Sequence, residues 1–201
     1  MNLKDKKSEI RRAVLNKRSS ITDQEIESCA SGRLEPLLSF IREITGKEPG
    51  SLTVMSYMSY KTEFPTNMIN NCLLENGAKL AVPYTGSDFR IISCLIDSVD
   101  GLSLSKMGIP EPDPEKTEHI DASDADIILM PGTVFDRSGS RIGYGKGCYD
   151  RFLAEAPGKL PQLAALAWSV QVADSVPQDE SDIRCDYIFT ENEIINCRSQ
   201  R

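Results

Sequence analysis

The sequence predicts an α/β fold: a mostly parallel, open sheet in three layers, with helices on both of its faces. Three observations lead there. Short apolar runs alternate along the chain with stretches of helical periodicity, the pattern of strands joined by crossover helices. The run DIILMPG at 126–132 is apolar throughout rather than at every second residue, as a strand buried on both faces must be. Directly after it comes a glycine-rich segment that runs into a helix, PGTVFDRSGSRIGYGKGCYDRFL at 131–153. In open α/β sheets that position, beyond the carboxyl end of a strand, is where ligands bind.

Taken in order, the elements begin with two amphipathic helices. The first carries Ile10, Val14 and Leu15 on one stripe, with Lys7, Arg11, Arg12, Lys17 and Arg18 around them. The second opens with a capping box, Thr22-Asp23-Gln24-Glu25, in which threonine and glutamate satisfy each other's amides. It continues at helical spacing through Ile26, Cys29, Ala30, Leu34, Leu37, Leu38 and Ile41. Pro49 and Gly50 then break the chain. LTVMSYM (52–58) reads as a strand, TNMINNCLLEN (66–76) as a helix closed by Gly77, and KLAVPY (79–84) and FRIISCLI (89–96) as strands. From Asp97 to Ser123 the chain is rich in Gly, Pro and Asp, and reads as a long loop on a binding surface. After 126–132 and the glycine segment come a helix over Tyr149–Glu155 and two more strands, QLAALAW (162–168) and YIFT (187–190). No repeat or linker divides the chain. All of 1–201 is read as a single α/β domain with an N-terminal helical segment, about 1–46, packed on it.

Composition narrows the function. With 40% hydrophobic and 26% charged residues the chain can build an ordinary core. A net charge of −7 argues against broad nucleic-acid binding. An acidic chain that binds phosphate must therefore gather its cations locally or recruit a metal ion. Cysteines stand at 29, 72, 94, 148, 185 and 197 without a C-x-x-C pair, which suits reduced thiols in the cytoplasm. The start, MNLKDKKSEIRRAVL, is charged rather than apolar, and no run approaches the ~18 apolar residues of a membrane span. The expectation is a cytoplasmic protein, acting as a monomer, with no membrane and no nucleic-acid partner.

The glycine segment carries the chemistry. Arg141, Gly143, Gly145, Lys146 and Gly147 precede Asp150 in the first turn of the next helix. Glycines let backbone N–H groups approach phosphate oxygens, and the arginine and lysine add full charges. Asp150 is unsuited to phosphate but suited to a hard Mg²⁺ held against it. The spacing is neither Walker A nor the dinucleotide fingerprint. On glycines alone a tight strand-to-helix turn would serve as well; their coincidence with Arg, Lys and Asp points to phosphate.

This segment resembles the signature of the 5-formyltetrahydrofolate cyclo-ligase family, and five further stretches stand in register with it. These are Lys7 and Arg11 as K-x-x-x-R, MSYKTEFPT with Met58, Glu63 and Thr66, VPY at 82–84, GIPEP at 108–112, and VPQDESDIRCDYIFTE at 176–191. The resemblance implies a three-layer sheet similar to the ribose-5-phosphate isomerase and CoA-transferase group. It implies an enzyme that uses ATP and Mg²⁺ to convert 5-formyltetrahydrofolate to 5,10-methenyltetrahydrofolate, ADP and phosphate, through a phosphorylated formyl oxygen. Carried over by position, Lys7, Arg11, Arg141, Gly143, Gly145, Lys146, Gly147 and Tyr149 would contact ATP, with Arg141 and Lys146 catalytic. Met58, Glu63, Tyr144, Gly145, Lys146, Gly147 and Cys148 would contact the reduced folate. Asp150 and Asp182 would hold the metal.

Outside that register several of these residues read differently. K-x-x-x-R alone is a solvated helix face, Met58 alone is core, Glu63 a loop acid and Asp182 a turn-former. Cys148 stands where the family usually has a second aromatic, Met107 where many relatives have one before GIPEP, and Ser181 where many have histidine. His119 matches nothing and reads as surface. A paralogue acting on another formyl- or carboxyl-bearing metabolite, or a non-catalytic folate or nucleotide binder, are the alternatives. The retained Arg141, Lys146, Asp150 and Asp182 speak against the binder.

Overall fold

The computed structural model describes residues 2–200. The two N-terminal helices are α1 (Leu3–Arg18), capped by Asn2, and α2 (Asp23–Thr45), which opens on the Thr22/Glu25 capping box and ends at Gly46 with φ 67°. There follow β1 (Thr53–Met55), α3 (Asn67–Glu75), β2 (Lys79–Thr85) and β3 (Ile91–Ile96). Next come β4 (Ser103–Leu104), β5 (Pro110–Glu111), β6 (His119–Ile120), β7 (Ile127–Met130), β8 (Val134–Asp136) and β9 (Arg141–Ile142). α4 (Cys148–Ala154), β10 (Gln162–Leu166), β11 (Val172–Ala173), β12 (Tyr187–Phe189) and β13 (Ile194–Asn196) complete the chain.

The main sheet has the order β13-β12-β10-β7-β1-β2-β3-β6. The five central strands from β12 to β2 are parallel, while β13, β3 and β6 pair antiparallel. Each residue of β7 is fully buried, as its unbroken apolar run requires. One face packs on α2 and α3 through Leu37, Ile41, Ile69 and Leu73; the other packs on α4 through Leu153 and Phe152. From β1 the chain passes through α3 to β2 on one side, whereas β7, β10 and β12 lie on the other. The order thus reverses between β1 and β7, and the crevice of such a sheet opens at that reversal, beyond the strands' carboxyl ends.

Four elements differ from the sequence reading. The strand expected over 52–58 ends at Met55, because side chains take over the backbone groups beyond it. Thr66 Oγ1 and Asn70 Nδ2 donate to the Tyr57 carbonyl at 2.7 and 3.1 Å, and Ser59 N–H donates to Thr66 Oγ1 at 3.0 Å. The expected loop over 97–123 contains a β4–β5 hairpin and the edge strand β6. A last edge strand, β13, closes the far side. The glycine segment is not one loop: β8 and β9 form a hairpin, and only residues 143–147 remain as loop.

That hairpin belongs to a second, three-stranded sheet, β11-β8-β9. Its turn is organised by the buried Asp136. Oδ1 accepts from the N–H groups of Ser138 and Ser140 and from Ser138 Oγ, and Oδ2 accepts from Val176 N–H at 2.8 Å. At Gly139, with φ 87°, a Cβ would lie 2.1 Å from the Cys185 carbonyl oxygen, so only glycine fits. Val14 of α1 packs on this small sheet, against Val134, Ile142 and Val176, with Ile10 and Ala173 beside them. The first helix therefore docks beyond the end of the main sheet rather than on either face.

Candidate active site

The docking of α1 brings one stripe of that helix against the glycine loop. Lys7, Arg11, Val14 and Arg18 are spaced by four, three and four residues, which puts all four on one helix face. Arg11 Nε donates to the Gly143 carbonyl at 2.7 Å, and its guanidinium lies so close over Gly145 that a Cβ there would meet Nη2 at 3.1 Å. Gly145 and Gly147 have φ values of 93° and 63°, a turn open to glycine at no steric cost. The N–H groups of Tyr144, Gly145, Lys146 and Gly147 donate to no other group among the described residues. Four consecutive donors, curled by left-handed glycines and flanked by an arginine, form an anion cradle.

Arg18 lies at the foot of the same stripe, 4% exposed. Its Nη2 donates to Tyr144 Oη at 2.9 Å, and Tyr144 Oη donates to Glu63 Oε1 at 2.5 Å. Glu63 follows the end of β1, on the opposite side of the crevice, and its Oε2 accepts from Tyr60 N–H at 2.9 Å. Burial raises the Glu63 carboxyl above the ordinary glutamate range, against the lowering effects of Tyr144, Tyr60 N–H and Arg18. Burial likewise raises the phenols of Tyr144 and Tyr149. Both stay protonated as donors, and Tyr149 Oη is buried without a partner. Met58 lies in the core beneath, with Asn70 Nδ2 donating to its Sδ at 3.7 Å.

Arg141 Nη2 donates to Asp150 Oδ1 at 2.8 Å, and Ile183 N–H reaches the same oxygen at 3.2 Å. Lys7 Nζ contacts Asp182 Oδ2 directly and Asp179 Oδ2 at 3.0 Å, and Asp179 N–H donates to Asp182 Oδ2 at 2.8 Å. Burial alone would lower the Lys7 ammonium, but Asp182 and Asp179 outweigh it and hold it above the usual lysine value. The Ser181 hydroxyl and Lys7 in turn pull Asp179 down to about 2. Asp150 thus bonds the backbone at the residue next to Asp182, which brings the two metal candidates to one side of the loop. Each keeps one carboxylate oxygen, Asp150 Oδ2 and Asp182 Oδ1, with no hydrogen bond among the described residues. Two oxygens fit a Mg²⁺ ion that keeps water and phosphate oxygens as its remaining ligands. Among the described residues no cluster of three or more His, Cys, Asp or Glu forms a complete protein cage.

The two residues expected to act as a catalytic pair sit apart. Arg141 is buried, whereas Lys146 is exposed and rests 4.5 Å over the ring of Phe89, in the β2–β3 turn. Arg151 bridges that turn to the loop, donating to the carbonyls of Lys146 and Phe89 at 2.7 and 2.8 Å. Cys148 is half-buried at the start of α4, its thiol raised by burial. His119 is exposed, as expected, with Nε2 2.8 Å from the Pro114 carbonyl oxygen. Sequence reasoning passed over Arg18, Asp136 and Asp179. The spacing of Lys7, Arg11 and Arg18 was a visible signal for the first, and the turn sequence D-R-S-G-S for the second.

In an acidic chain, Lys7, Arg11, Arg18 and Arg141 are thus gathered at the reversal of strand order. Comparison with known proteins accords with this arrangement. The family model described as the 5-formyltetrahydrofolate cyclo-ligase family matches residues 3–191. A 5-formyltetrahydrofolate cyclo-ligase of Mycolicibacterium smegmatis is 28% identical over 188 residues, covering 92% of this chain and 93% of that one. The solution structure of Aquifex aeolicus 5,10-methenyltetrahydrofolate synthetase superposes with a TM-score of 0.78 at 29% identity, covering 97% of this chain and 94% of that one. A synthetase of the same name from Mycoplasma pneumoniae shares the fold with a TM-score of 0.69, at 23% identity and 95% and 98% coverage. With the whole fold and all but the ends of the sequence accounted for, the chain belongs to the 5-formyltetrahydrofolate cyclo-ligase family of enzymes.

Proposed function

We propose that the protein closes 5-formyltetrahydrofolate to 5,10-methenyltetrahydrofolate at the expense of ATP, with Mg²⁺, releasing ADP and phosphate. The observation that carries this reading is the anion cradle at 144–147, gripped by Arg11 and faced across the crevice by the buried carboxylate of Glu63. A cradle of backbone donors beside cations suits a polyphosphate. A buried acceptor opposite suits the N–H groups of a pterin ring.

The chemistry needs both. The formyl oxygen on N5 cannot leave as water at neutral pH. Its attack on the γ-phosphorus forms an O–P bond and breaks the bond to ADP. N10 then adds to the activated carbon, the N10 proton is lost, and phosphate departs with the formyl oxygen. Little of this is covalent work for the protein, which has to align the oxygen with the γ-phosphate and neutralise charge spreading over the transferring oxygens. Lys7, Arg11 and Arg141 would supply positive charge around the phosphates, and the cradle N–H groups would hold them. Lys146, on the outer rim, would steer and bind ATP from solvent rather than meet the reacting atoms. Met58 and Cys148 would give the folate apolar contact, with Tyr149 beneath the phosphates. Asp150 and Asp182 would hold Mg²⁺ through their remaining oxygens, and the bound ion would supply further charge neutralisation.

The test is direct: enzyme, ATP, Mg²⁺ and 5-formyltetrahydrofolate should give the absorbance of the methenyl product with one ADP per turnover. No product at high enzyme concentration, while ATP binds, would refute the reading. Tight folate binding without ADP formation would mark a binding protein instead. We further propose a cytoplasmic monomer; sedimentation at working concentration checks the second half of that statement.

A further inference from the structure

The least explained charge in the site is Arg18. A guanidinium taken out of water has to be hydrogen-bonded and its charge answered nearby. Yet Arg18 forms no salt bridge among the described residues. Its hydrogen bonds go to the Tyr144 hydroxyl at 2.9 Å and to the Gly132 carbonyl at 3.5 Å, and its Nε is buried without a partner. The answering negative charge lies one residue further on, at Glu63.

The direction of the chain between them is fixed by chemistry. Arginine has only donors, so Nη2 must donate to Tyr144 Oη and occupy a lone pair there. The phenolic proton is then directed at Glu63 Oε1, 2.5 Å away. Glu63 is otherwise met by Tyr60 N–H and by the phenols of Tyr57 and Tyr149, and Arg18 is the one cation acting on it. Tyr144 itself stands between Gly143 and Gly145, the two residues held by Arg11, seven positions earlier on the same face of α1. The helix therefore grips the loop twice, once by its backbone and once by the side chain that touches the opposite wall.

We infer that Arg18 is a positioning residue that holds Tyr144 as a donor to Glu63, and so presents that carboxylate in one orientation to the ring N–H groups of the folate. The identity of the ligand rests on the function proposed above; the Arg18–Tyr144–Glu63 relation does not, and the two are tested separately.

The first experiment needs no substrate. With glutamate labelled at the side-chain carboxyl carbon, the NMR line of Glu63 is identified by its loss in Glu63→Gln and titrated in wild type, Arg18→Gln and Tyr144→Phe. Both substitutions should move the midpoint upward, and the double variant no further than the larger single one. An unmoved midpoint in folded Arg18→Gln, or additive shifts, overturns the inference. The second experiment is steady-state kinetics. Arg18→Gln should raise KM for 5-formyltetrahydrofolate about tenfold, the size of one lost hydrogen bond to a charged group. KM for ATP should stay within about twofold, since none of these contacts touches the phosphate cradle. Arg18→Lys, which keeps the charge and a donor, should recover part of the loss. Equal increases in both KM values would make Arg18 a structural residue and refute the inference. If Arg18→Gln does not fold, Arg18→Lys and Tyr144→Phe carry the same two measurements, because Tyr144 is half exposed and tolerates loss of its hydroxyl. A protein that folds normally but turns over no folate would refute the proposed reaction, and the titration would still decide on Arg18.

Discussion

The cradle makes its sharpest prediction at Gly145. Substituting alanine there has two separable consequences. The first is conformational: φ is 93°, and an L-residue with a Cβ is disfavoured at such left-handed angles by about 1–2 kcal/mol. This penalty applies with or without ligand, so it lowers stability and leaves affinity alone. The second is contact: the new Cβ would lie 3.1, 3.3 and 3.4 Å from Nη2, Cζ and Nη1 of Arg11, which must retreat by a few tenths of an ångström. That retreat strains the 2.7 Å bond from Arg11 Nε to Gly143 O and withdraws the charge from the loop. A hydrogen bond from a charged donor is worth about 1.5–3 kcal/mol, so losing most of it should weaken nucleotide binding about tenfold. Gly101 supplies the control. Its φ is 80°, and nothing lies within 4 Å of a modelling Cβ there. Gly101→Ala should therefore lose stability by the same conformational amount and no affinity. Denaturant unfolding and calorimetric titration with ATP measure the two quantities. Unchanged ATP affinity in Gly145→Ala, or an equal loss in Gly101→Ala, would refute the proposed grip of Arg11 on the cradle.

Other expectations follow from the same contacts. Arg141→Ala should abolish turnover and also destabilise the fold by about 3 kcal/mol or more, because it leaves Asp150 without its cation in a largely buried setting; Asp150→Asn should abolish turnover with a smaller loss, read by thermal melting beside the assay. Asp136→Ala removes the acceptor of four hydrogen bonds and should destabilise by about 3 kcal/mol, from donors left unsatisfied, with Asp182 and hence Mg²⁺ dependence disturbed through Val176. The two perturbed carboxyls act in opposite directions with pH. Asp179, held down to about 2, contributes stability above the ordinary aspartate range that is lost as pH falls toward 2. Glu63, held up by burial, is most favourable to the fold when protonated, and that contribution is lost as pH rises through its raised value. Melting curves of Asp179→Asn and Glu63→Gln against wild type should therefore diverge with increasing pH in opposite senses, Gln gaining on Glu and Asn falling behind Asp; the same sense for both would be wrong.

Much of the scaffold was legible because it is local. The Thr22/Glu25 capping box and Gly46 mark the ends of α2 by chemistry within a turn of the boundary, and the unbroken apolar run of β7 declares a central strand. The carboxyl end of β1 was misread because LTVMSYM is strand-like throughout, while the groups that end the ladder, Thr66 and Asn70, come from α3 and the residue before it. The short strands β6, β8, β9, β11 and β13 have too few residues to show a period. In the site, glycines and charges identified the loop, but position decided the roles. Lys7 and Asp182 pair across 175 residues, and a helix-terminal Arg18 looks like an ordinary complement to the helix dipole until burial shows otherwise. Lys146 read as a phosphate cation; the ring it rests on belongs to a residue, Phe89, whose positive φ of 62° no pattern announces.

The docking of α1 has a consequence for how the enzyme would meet its nucleotide. Val14 is the only residue of that helix in the apolar contact with the small sheet apart from the half-covered Ile10. Most of what secures the helix is ionic: Lys7 on two aspartates, Arg11 on a carbonyl, Arg18 on a phenol. A segment attached this way opens at low free energy and more readily at high salt. Its amides should exchange with deuterium well before those of α2. A polyphosphate bridging the helix to the cradle would slow that exchange, and by linkage whatever loosens the helix weakens the nucleotide. Occupancy of the ATP site and attachment of the N-terminal helix would then be one equilibrium, observable from either end.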